Sequence, residues 1–199
     1  MTLLMYHLKR HTITVVTDTL ASSAGGPDFT AVKFRVPEHG GFIVAGTGLG
    51  DVIAPWLDTV AASGLRTVDE VVQLSERLLP ERWTAVMDGI DDDPGHTTAF
   101  VFGFRNGEST RVQLSSRDGF LPDLKRPPRI AIRPPPPMFV LETLTPYEDG
   151  TDGDLLAIAR VVATYTRDHP NGVRIGGDAI AAQITSRGRR TIKKLGTLG

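Results

Sequence analysis

MTLLMYHLKRHTITVVTDTLAS, residues 1–22, is the stretch of sequence that decides the fold. Residues 3–8 and 12–17 are rich in Leu, Ile, Val and Thr, which favour β-strands. Residues 9–11 between them, Lys-Arg-His, form a short polar connection of the kind that joins two antiparallel strands. The stretch therefore predicts a β-hairpin that starts at the second residue of the chain.

Further strands are predicted from apolar runs bounded by turn residues. Residues 22–27 have the composition of a loop, and a Pro- and Gly-containing turn follows at residues 37–40. Asn106-Gly107 is the strongest short-range hairpin signal in the chain. The predicted strands outside the first hairpin are 31–36, 41–46, 97–104, 109–114, 179–185 and 190–195.

Three segments change to helical period, namely 50–63, 67–87 and 154–166. Thr67 is a predicted N-cap, and Pro80 predicts a kink or break in the second helix. The segment 50–63 carries apolar residues on more than one side, more than a helix covering a single sheet needs to bury. We therefore expect part of this helix to lie between subunits.

The order of elements is four strands, two helices, two strands, one helix and two strands, with no internal repeat. Antiparallel hairpins with helices between them predict an α+β fold in which helices cover two packed sheets. A chain of 199 residues with 40% hydrophobic content is long enough for one sizeable core. We expect residues 1–199 to form a single domain.

Composition narrows the function. Lys and Arg (22) nearly balance Asp and Glu (23), so net charge predicts neither a nucleic-acid nor a membrane partner. The absence of cysteine excludes disulfides, a thiolate nucleophile and thiolate metal sites. The first residues lack an apolar run long enough for a signal peptide or a membrane span. A cytoplasmic protein is expected.

Thr2 follows the initiator methionine and has a specific chemical capacity. If Met1 is removed, Thr2 carries a hydroxyl and a free α-amine on one residue. An amine with a pKa of roughly 7.7 to 8.0 can accept the hydroxyl proton and later return it. Thr2 would then serve as both nucleophile and base.

Three further segments carry residues that could act together with Thr2. Asp18 lies in TVVTDTLAS (14–22), Lys33 in AVKFRV (31–36) and Gly46 in FIVAGTGLGD (42–51). Together with Thr2, these segments resemble the strand ends of the proteasome β-subunit family of N-terminal-nucleophile hydrolases. Residues 159–177 (ARVVATYTRDHPNGVRIGG) are similar to that family's helix and the Arg-Asp and Gly-Gly region after it. This similarity places Asp168 on the family's second active-site aspartate.

The resemblance implies a four-layer αββα sandwich and a threonine peptidase or amide hydrolase that needs no metal or organic cofactor. Lys33, buried near Thr2, would favour loss of the hydroxyl proton, while Asp18 would pair the ammonium and fix its position. The Gly46 N–H would face the oxygen of the tetrahedral intermediate. Asp168 would orient the Thr2 amine. The alternative for Asp18 and Lys33 is a solvent-exposed ion pair at strand ends.

The resemblance also implies subunits assembled in rings that act on peptides or unfolded proteins, with an ATP-dependent unfoldase as a partner. One departure opens an alternative. The family's serine before the last long helix has no counterpart in PPPPMFVL (134–141), and Asn171 stands at a second serine position. A catalytically inactive subunit with a structural or interaction role is the alternative function. Hydrolysis of a small amide instead of a peptide is a third hypothesis.

Structure explains several other motifs better than a binding function does. GTGLGD (46–51) precedes a helix as a phosphate loop would, but Asp51 stands where a third glycine is needed. The acidic run 91–93 lacks the glycine and glutamate of a calcium loop. RGRRTIKK (187–194) alternates with apolar residues in a predicted strand, which favours a charge-protected edge over a nucleic-acid site. The proline-rich run 126–137 predicts a rigid surface connection, with a proline-recognition ligand as the alternative.

The histidines were set aside as well. His7 and His11 have a ligand spacing for a helix, but both belong to a hairpin, where that spacing does not align them. His39, His96 and His169 are predicted to lie in surface loops.

Overall fold

The computed structural model describes residues 3–21, 27–90, 95–124, 130–133, 135, 150–168 and 174–199. Within these ranges the α-helices are α1 (Gly50–Ala62), α2 (Val68–Met87) and α3 (Asp152–Asp168). A short 3₁₀ turn spans Ser116–Asp118. The strands are β1 (Leu4–Lys9), β2 (Thr12–Asp18), β3 (Leu20–Ala21), β4 (Phe29–Thr30), β5 (Phe34–Arg35), β6 (Phe42–Thr47), β7 (Thr98–Arg105), β8 (Glu108–Ser115), β9 (Pro122–Asp123), β10 (Ile130–Arg133), β11 (Asp178–Thr185) and β12 (Arg190–Thr197).

Two five-stranded sheets and one small strand pair account for these strands. The first sheet has the order β10-β1-β2-β11-β12, and the second has the order β5-β6-β7-β8-β9. Each neighbouring pair is antiparallel. β3 pairs with β4 outside both sheets. The chain thus has an α+β fold built on antiparallel sheets, as the sequence predicts.

Three apolar clusters hold the elements together. One packs α1 and α2 against the second sheet, and includes Trp56, whose indole donates to Ser75 Oγ at 2.9 Å. Another packs α3 against the first sheet, with Leu155 and Val162 on the helix. The third lies between the two sheets, where Tyr6 of β1 meets Phe102 of β7 with ring centroids 5.2 Å apart. Alternation along β1 places Met5 in the cluster with α3 and Leu4 and Tyr6 in the cluster between the sheets, so both faces of this strand are buried.

The predicted hairpins are confirmed: β1 pairs with β2, β7 with β8 and β11 with β12. Thr67 caps α2 as predicted, in a reciprocal capping box with Glu70. Of the kink or break predicted at Pro80, the break is wrong, because α2 continues to Met87. Burial of Leu79 beside Pro80 contributes tertiary packing that offsets the missing N–H donor. The strand predicted at 31–36 is only the two residues of β5.

The surplus apolar surface of α1 has an explanation within the chain. Its large apolar residues are buried against α2 and the second sheet, so the expectation that this surface lies between subunits is wrong. The residues concerned are Val52, Ile53, Trp56, Leu57 and Val60.

Several sequence predictions lie outside the described residues. They concern Thr2, the loop residues 22–26, the acidic run 91–93, most of 134–141, and His169 with Asn171. Of the proline-rich run, residues 130–133 form β10 at the edge of the first sheet, a position compatible with flanking prolines. Among the described residues, no helix combines the length and apolar character needed to cross a membrane.

Candidate functional site

The carboxylate of Asp18 is the centre of the candidate site. Asp18 ends β2 and is fully buried, and its Oδ1 accepts hydrogen bonds from the Leu3 backbone N–H at 2.9 Å and from Lys33 Nζ at 2.8 Å. Its Oδ2 accepts the Gly176 N–H at 3.4 Å. One carboxylate therefore joins the start of β1, the end of β2, the segment carrying Lys33 and the segment before β11.

Lys33 lies between β4 and β5, with a side chain that is 10% exposed. Besides Asp18, its ammonium donates to the Leu20 backbone carbonyl. The structure thus brings Asp18 and Lys33 together as the sequence predicts. The alternative of a solvent-exposed ion pair is excluded, because the carboxylate has no solvent exposure.

Backbone bonds around Thr19 hold this arrangement, and the sequence analysis missed them. The Thr19 carbonyl accepts the Ala31 N–H at 2.9 Å, and its hydroxyl accepts the Asp178 N–H at 2.8 Å. Gly177 has a φ of +71°, and a Cβ there would lie 2.5 Å from the Thr19 hydroxyl. Only glycine fits this close approach without strain. The Gly176-Gly177 pair in the sequence was the available signal.

Burial dominates the electrostatics of the pair. Burial raises the pKa of Asp18 above its ordinary value, and this is opposed by Lys33 and by the N–H groups of Leu3 and Gly176. Burial also lowers the pKa of Lys33, and Asp18 opposes this shift. Loss of water around both charges thus outweighs their mutual attraction. Lys33 consequently holds its proton less firmly than an exposed lysine would.

Gly46 lies in β6, opposite Ala99 of β7, and is in close contact with α1. A Cβ at Gly46 would lie 2.6 Å from Ile53 Cγ2, so the small residue lets the helix approach the sheet. The predicted role of the Gly46 N–H as an oxyanion donor stays a prediction.

The turn from β6 into α1 is held by hydrogen bonds of Thr97. The hydroxyl of Thr97 accepts the Leu49 N–H at 2.9 Å, and Ser116 Oγ accepts the Thr97 N–H at 3.0 Å. Gly48 has a φ of +105°, as this tight turn requires. Gly46 and Gly48 of GTGLGD therefore have structural explanations.

Asp168 ends α3 and is exposed to solvent. It lines a shallow depression on the outer face of the helix together with Arg160, Thr164 and Tyr165. The residues of α3 that face the first sheet are apolar or, in the case of Thr166, bonded to the helix backbone. In this arrangement Asp168 is not among the groups bonded to Asp18 or Lys33. Its predicted contact with the amine of Thr2 stays a prediction.

The motifs set aside also have positions in the fold. Within the described ranges, no group of three or more His, Asp or Glu side chains is arranged to hold a metal ion. His11 is exposed whereas His7 is buried, so the two do not share a site. His39 and His96 are exposed, as predicted. β12, which carries most of the basic run, is an edge strand, and Lys194 pairs with Asp178 at 2.7 Å.

Solved structures of Anbu proteins share this fold. Anbu from Hyphomicrobium sp. strain MC1 matches with a TM-score of 0.60 and 10% identity, over 98% of this chain and 88% of that chain. Anbu (ancestral beta-subunit) from Yersinia bercovieri matches with a TM-score of 0.65 and 10% identity, over 98% and 87%. An Anbu (Gly-1) mutant from the Hyphomicrobium strain matches with a TM-score of 0.65 and 10% identity, over 98% and 88%. No family model and no curated protein matches the chain.

These findings correct the family assignment made from the sequence. The structural matches are Anbu proteins, which are proteasome-like but form a different family, so the assignment to the proteasome β-subunit family of N-terminal-nucleophile hydrolases is wrong. An identity of 10% over nearly the whole chain shows a common fold and nothing finer. Activity must therefore be argued from the site itself.

Proposed function

We propose that this protein is an N-terminal threonine peptidase or amide hydrolase in which removal of Met1 frees Thr2 as the nucleophile. The observation that carries the proposal is the hydrogen bond from the Leu3 N–H to the buried carboxylate of Asp18, which also binds Lys33. Leu3 is the residue to which Thr2 is covalently joined. A buried ion pair tied to the backbone next to a candidate nucleophile is a costly arrangement, and such pairs concentrate at functional sites.

Each group in the proposal has a defined task. The amine of Thr2 takes the proton from the Thr2 hydroxyl as the oxygen attacks the amide carbonyl, and gives it to the leaving amine as the C–N bond breaks, which leaves the acyl group as an ester on Thr2. Water, deprotonated by the same amine, then hydrolyses this ester, releases the carboxylic acid and restores the hydroxyl. The Lys33 ammonium lowers the energy of the negative charge that develops on the hydroxyl oxygen, an effect strengthened by its removal from water. Asp18 positions Lys33. Gly46 supplies the oxyanion N–H, and Asp168 orients the amine.

The architecture supports this function at the level of the fold. We infer that the three apolar clusters separate four layers in the order helix, sheet, sheet, helix, and that the chain works as a single domain. The Anbu structure from Yersinia bercovieri carries the description ancestral beta-subunit, which supports a hydrolase related in fold to proteasome-type subunits. We extend the proposal to a cytoplasmic ring of identical subunits acting on peptides or unfolded chains, with an ATP-dependent unfoldase as a partner.

Turnover of a fluorogenic peptide amide tests the proposal. Thr2→Ala should abolish turnover, and Lys33→Ala should lower kcat by about 10²-fold or more because the developing charge loses its cation. Lys194→Ala is the matched control, since Lys194 pairs with Asp178 on the surface and should keep full activity. Turnover by Thr2→Ala equal to that of the wild type would place the nucleophile elsewhere.

Ser115 and Ser116 are the next candidates for that nucleophile, but both hydroxyls already serve the backbone. Ser115 is buried and accepts the Arg117 N–H at 3.4 Å, and Ser116 accepts the Thr97 N–H. Thr2 is therefore favoured over both.

A catalytically inactive subunit is the second candidate function. Two observations favour it: residues 134–141 contain no serine, and Asp168 is exposed. An inactive subunit would show no turnover of any peptide or small amide, yet would still assemble. Light scattering at micromolar concentration tests assembly separately, with a mass several times 21.5 kDa expected for a ring and a monomer excluding it.

A further inference from the structure

A group of polar side chains lies between the two sheets, on the face of β1 opposite the one packed against α3. Arg111 of β8 is paired in register with Phe102, so both side chains project toward the first sheet. Tyr6 of β1 projects from that sheet onto Phe102. Ala131 of β10 is in register with Tyr6, and Arg133 lies two residues farther along the same strand. Tyr6, Arg111 and Arg133 therefore share one space between the sheets.

This space lies at the rim of the sheet pair rather than at its centre. β9 and β10 are the last strands of their sheets. Asp123 of β9 is in register with Gln113 of β8 and places its partly exposed carboxylate at the rim.

Among the described residues, two arginines and one aspartate, Arg111, Arg133 and Asp123, lie at this space. Arg111 is only 5% exposed. Its guanidinium donates to Gln113 Oε1 at 3.1 Å and pairs with Asp123 Oδ2 at 3.5 Å. Burial raises the pKa of Tyr6, and Arg111 and Arg133 are both close enough to oppose that shift. Two guanidinium groups thus lie near the phenol, and in the part of the chain that the structure describes Asp123 supplies the carboxylate that pairs with Arg111.

Two buried donors in this space are unused. Arg111 Nε has no hydrogen-bond partner among the described residues, and the O–H of Tyr6 has no acceptor, although Tyr6 is only 1% exposed and its oxygen lies close enough to Arg111 to accept from it. A buried donor left without an acceptor costs about 1–3 kcal/mol, so native structures rarely keep one without a ligand, a water or a function to satisfy it. Here two such donors lie in the same space as Arg133.

We propose that this space is a binding site for a small oxyanion, a carboxylate or a phosphate, held by Arg111 Nε and the Tyr6 hydroxyl with Arg133 adding charge. An oxyanion supplies the acceptors that both donors lack. A guanidinium matches the planar geometry of these anions and binds them through charge-assisted hydrogen bonds. The site is separate from Asp18, which lies two residues after Val16 in β2 and therefore on the α3 side of the first sheet.

Thermal unfolding of the full chain in inorganic phosphate or sodium acetate, against sodium chloride at equal ionic strength, tests the proposal. A ligand at about five times its Kd should raise the Tm by about 2–4 °C in a chain of this size, and the rise should saturate. Arg111→Gln should lose the rise, and Tyr6→Phe should weaken it. A rise in phosphate alone or in acetate alone supports the site and identifies which oxyanion it takes.

Arg105→Gln is the matched control. Arg105 belongs to the same sheet and also has an unpartnered buried Nε, but it pairs with Asp69 of α2 outside the space between the sheets. This variant should keep the full rise. The proposal is overturned if neither anion stabilises the wild type more than chloride does. It is equally overturned if Arg111→Gln keeps the rise or, should that variant fail to fold, if Tyr6→Phe responds as the wild type does.

Discussion

Lys33 and Arg111 are both buried cations paired with an aspartate, but their surroundings differ. The partner of Lys33, Asp18, has no solvent exposure and is bonded to the backbone N–H groups of Leu3 and Gly176. The partner of Arg111, Asp123, is 37% exposed and lies at 3.5 Å. In the first pair, backbone N–H groups supply the remaining hydrogen bonds of the Asp18 carboxylate. In the second pair, Arg111 Nε has no hydrogen-bond partner among the described residues. Burial of a cation therefore does not by itself indicate its role; the number of satisfied partners does.

The largest expected difference between the two pairs concerns their carboxylates. Asp18→Ala should lower the free energy of unfolding by about 3–5 kcal/mol, because it leaves a buried ammonium and two N–H groups without their acceptor. Urea unfolding measures this. If Asp18→Ala costs less than about 1 kcal/mol, the Asp18 carboxylate does not satisfy the Lys33 ammonium and the two N–H groups as described.

A double replacement sharpens the first prediction. Asp18→Leu combined with Lys33→Met should be less destabilising than the sum of the two single replacements, since neither charge is then left alone. The coupling free energy from a double-mutant cycle in urea is the measurement. Additive effects would mean that the two side chains do not interact in solution.

The pH dependence of stability tests the direction of both pKa shifts. Between pH 3.8, the ordinary pKa of an aspartate, and the raised pKa of Asp18 in the native state, the native state keeps a proton that the unfolded state has lost. The free energy of unfolding therefore falls as pH rises through this range. The lowered pKa of Lys33 makes the native state release a proton that the unfolded state keeps up to its ordinary pKa of 10.5, so stability rises with pH there.

Both slopes should be seen in the difference between the wild type and the Asp18→Leu/Lys33→Met variant, measured by urea unfolding across the pH range. A difference that rises from acidic pH to neutrality would reverse the sign for Asp18. A difference that falls toward alkaline pH would do the same for Lys33.

The smallest effect is expected at the rim. Asp123→Ala should change the free energy of unfolding by about 0–1 kcal/mol, because a partly exposed ion pair at 3.5 Å is screened by water. The difference between the unfolding free energies of Asp123→Ala and Asp18→Ala measures how much more the Asp18–Lys33 pair contributes to stability. A cost equal to that of Asp18→Ala would show that the two pairs are equivalent.

Local signals predicted much of the fold. Asn106 and Gly107 both adopt positive φ, as the Asn-Gly pair between two apolar runs requires. Thr67 and Glu70 form their capping box within a single turn of chain. Pro80 misled because the local cost of a proline is outweighed by packing that depends on the tertiary structure.

Part of the candidate site could be predicted from the sequence, and part depends on the tertiary structure. The pairing of Asp18 with Lys33 could be predicted from the segments around them, and the structure contains it. The acceptors supplied by Thr19 could not, because they depend on where the residues before β11 return to the end of β2. The space around Tyr6 and Arg111 could not be predicted from the sequence either, because it forms only when the two sheets pack face to face.

Covalent capture tests the central claim most directly, because a peptide epoxyketone needs the hydroxyl and the free amine of one residue together. After reaction, intact mass and peptide mapping should show a chain that lacks Met1 and carries one inhibitor on the peptide beginning at Thr2. Lys33→Ala should slow the capture, and Thr2→Ala should prevent it. A chain from its native host that retains Met1 in full and gains no inhibitor mass would contradict the account.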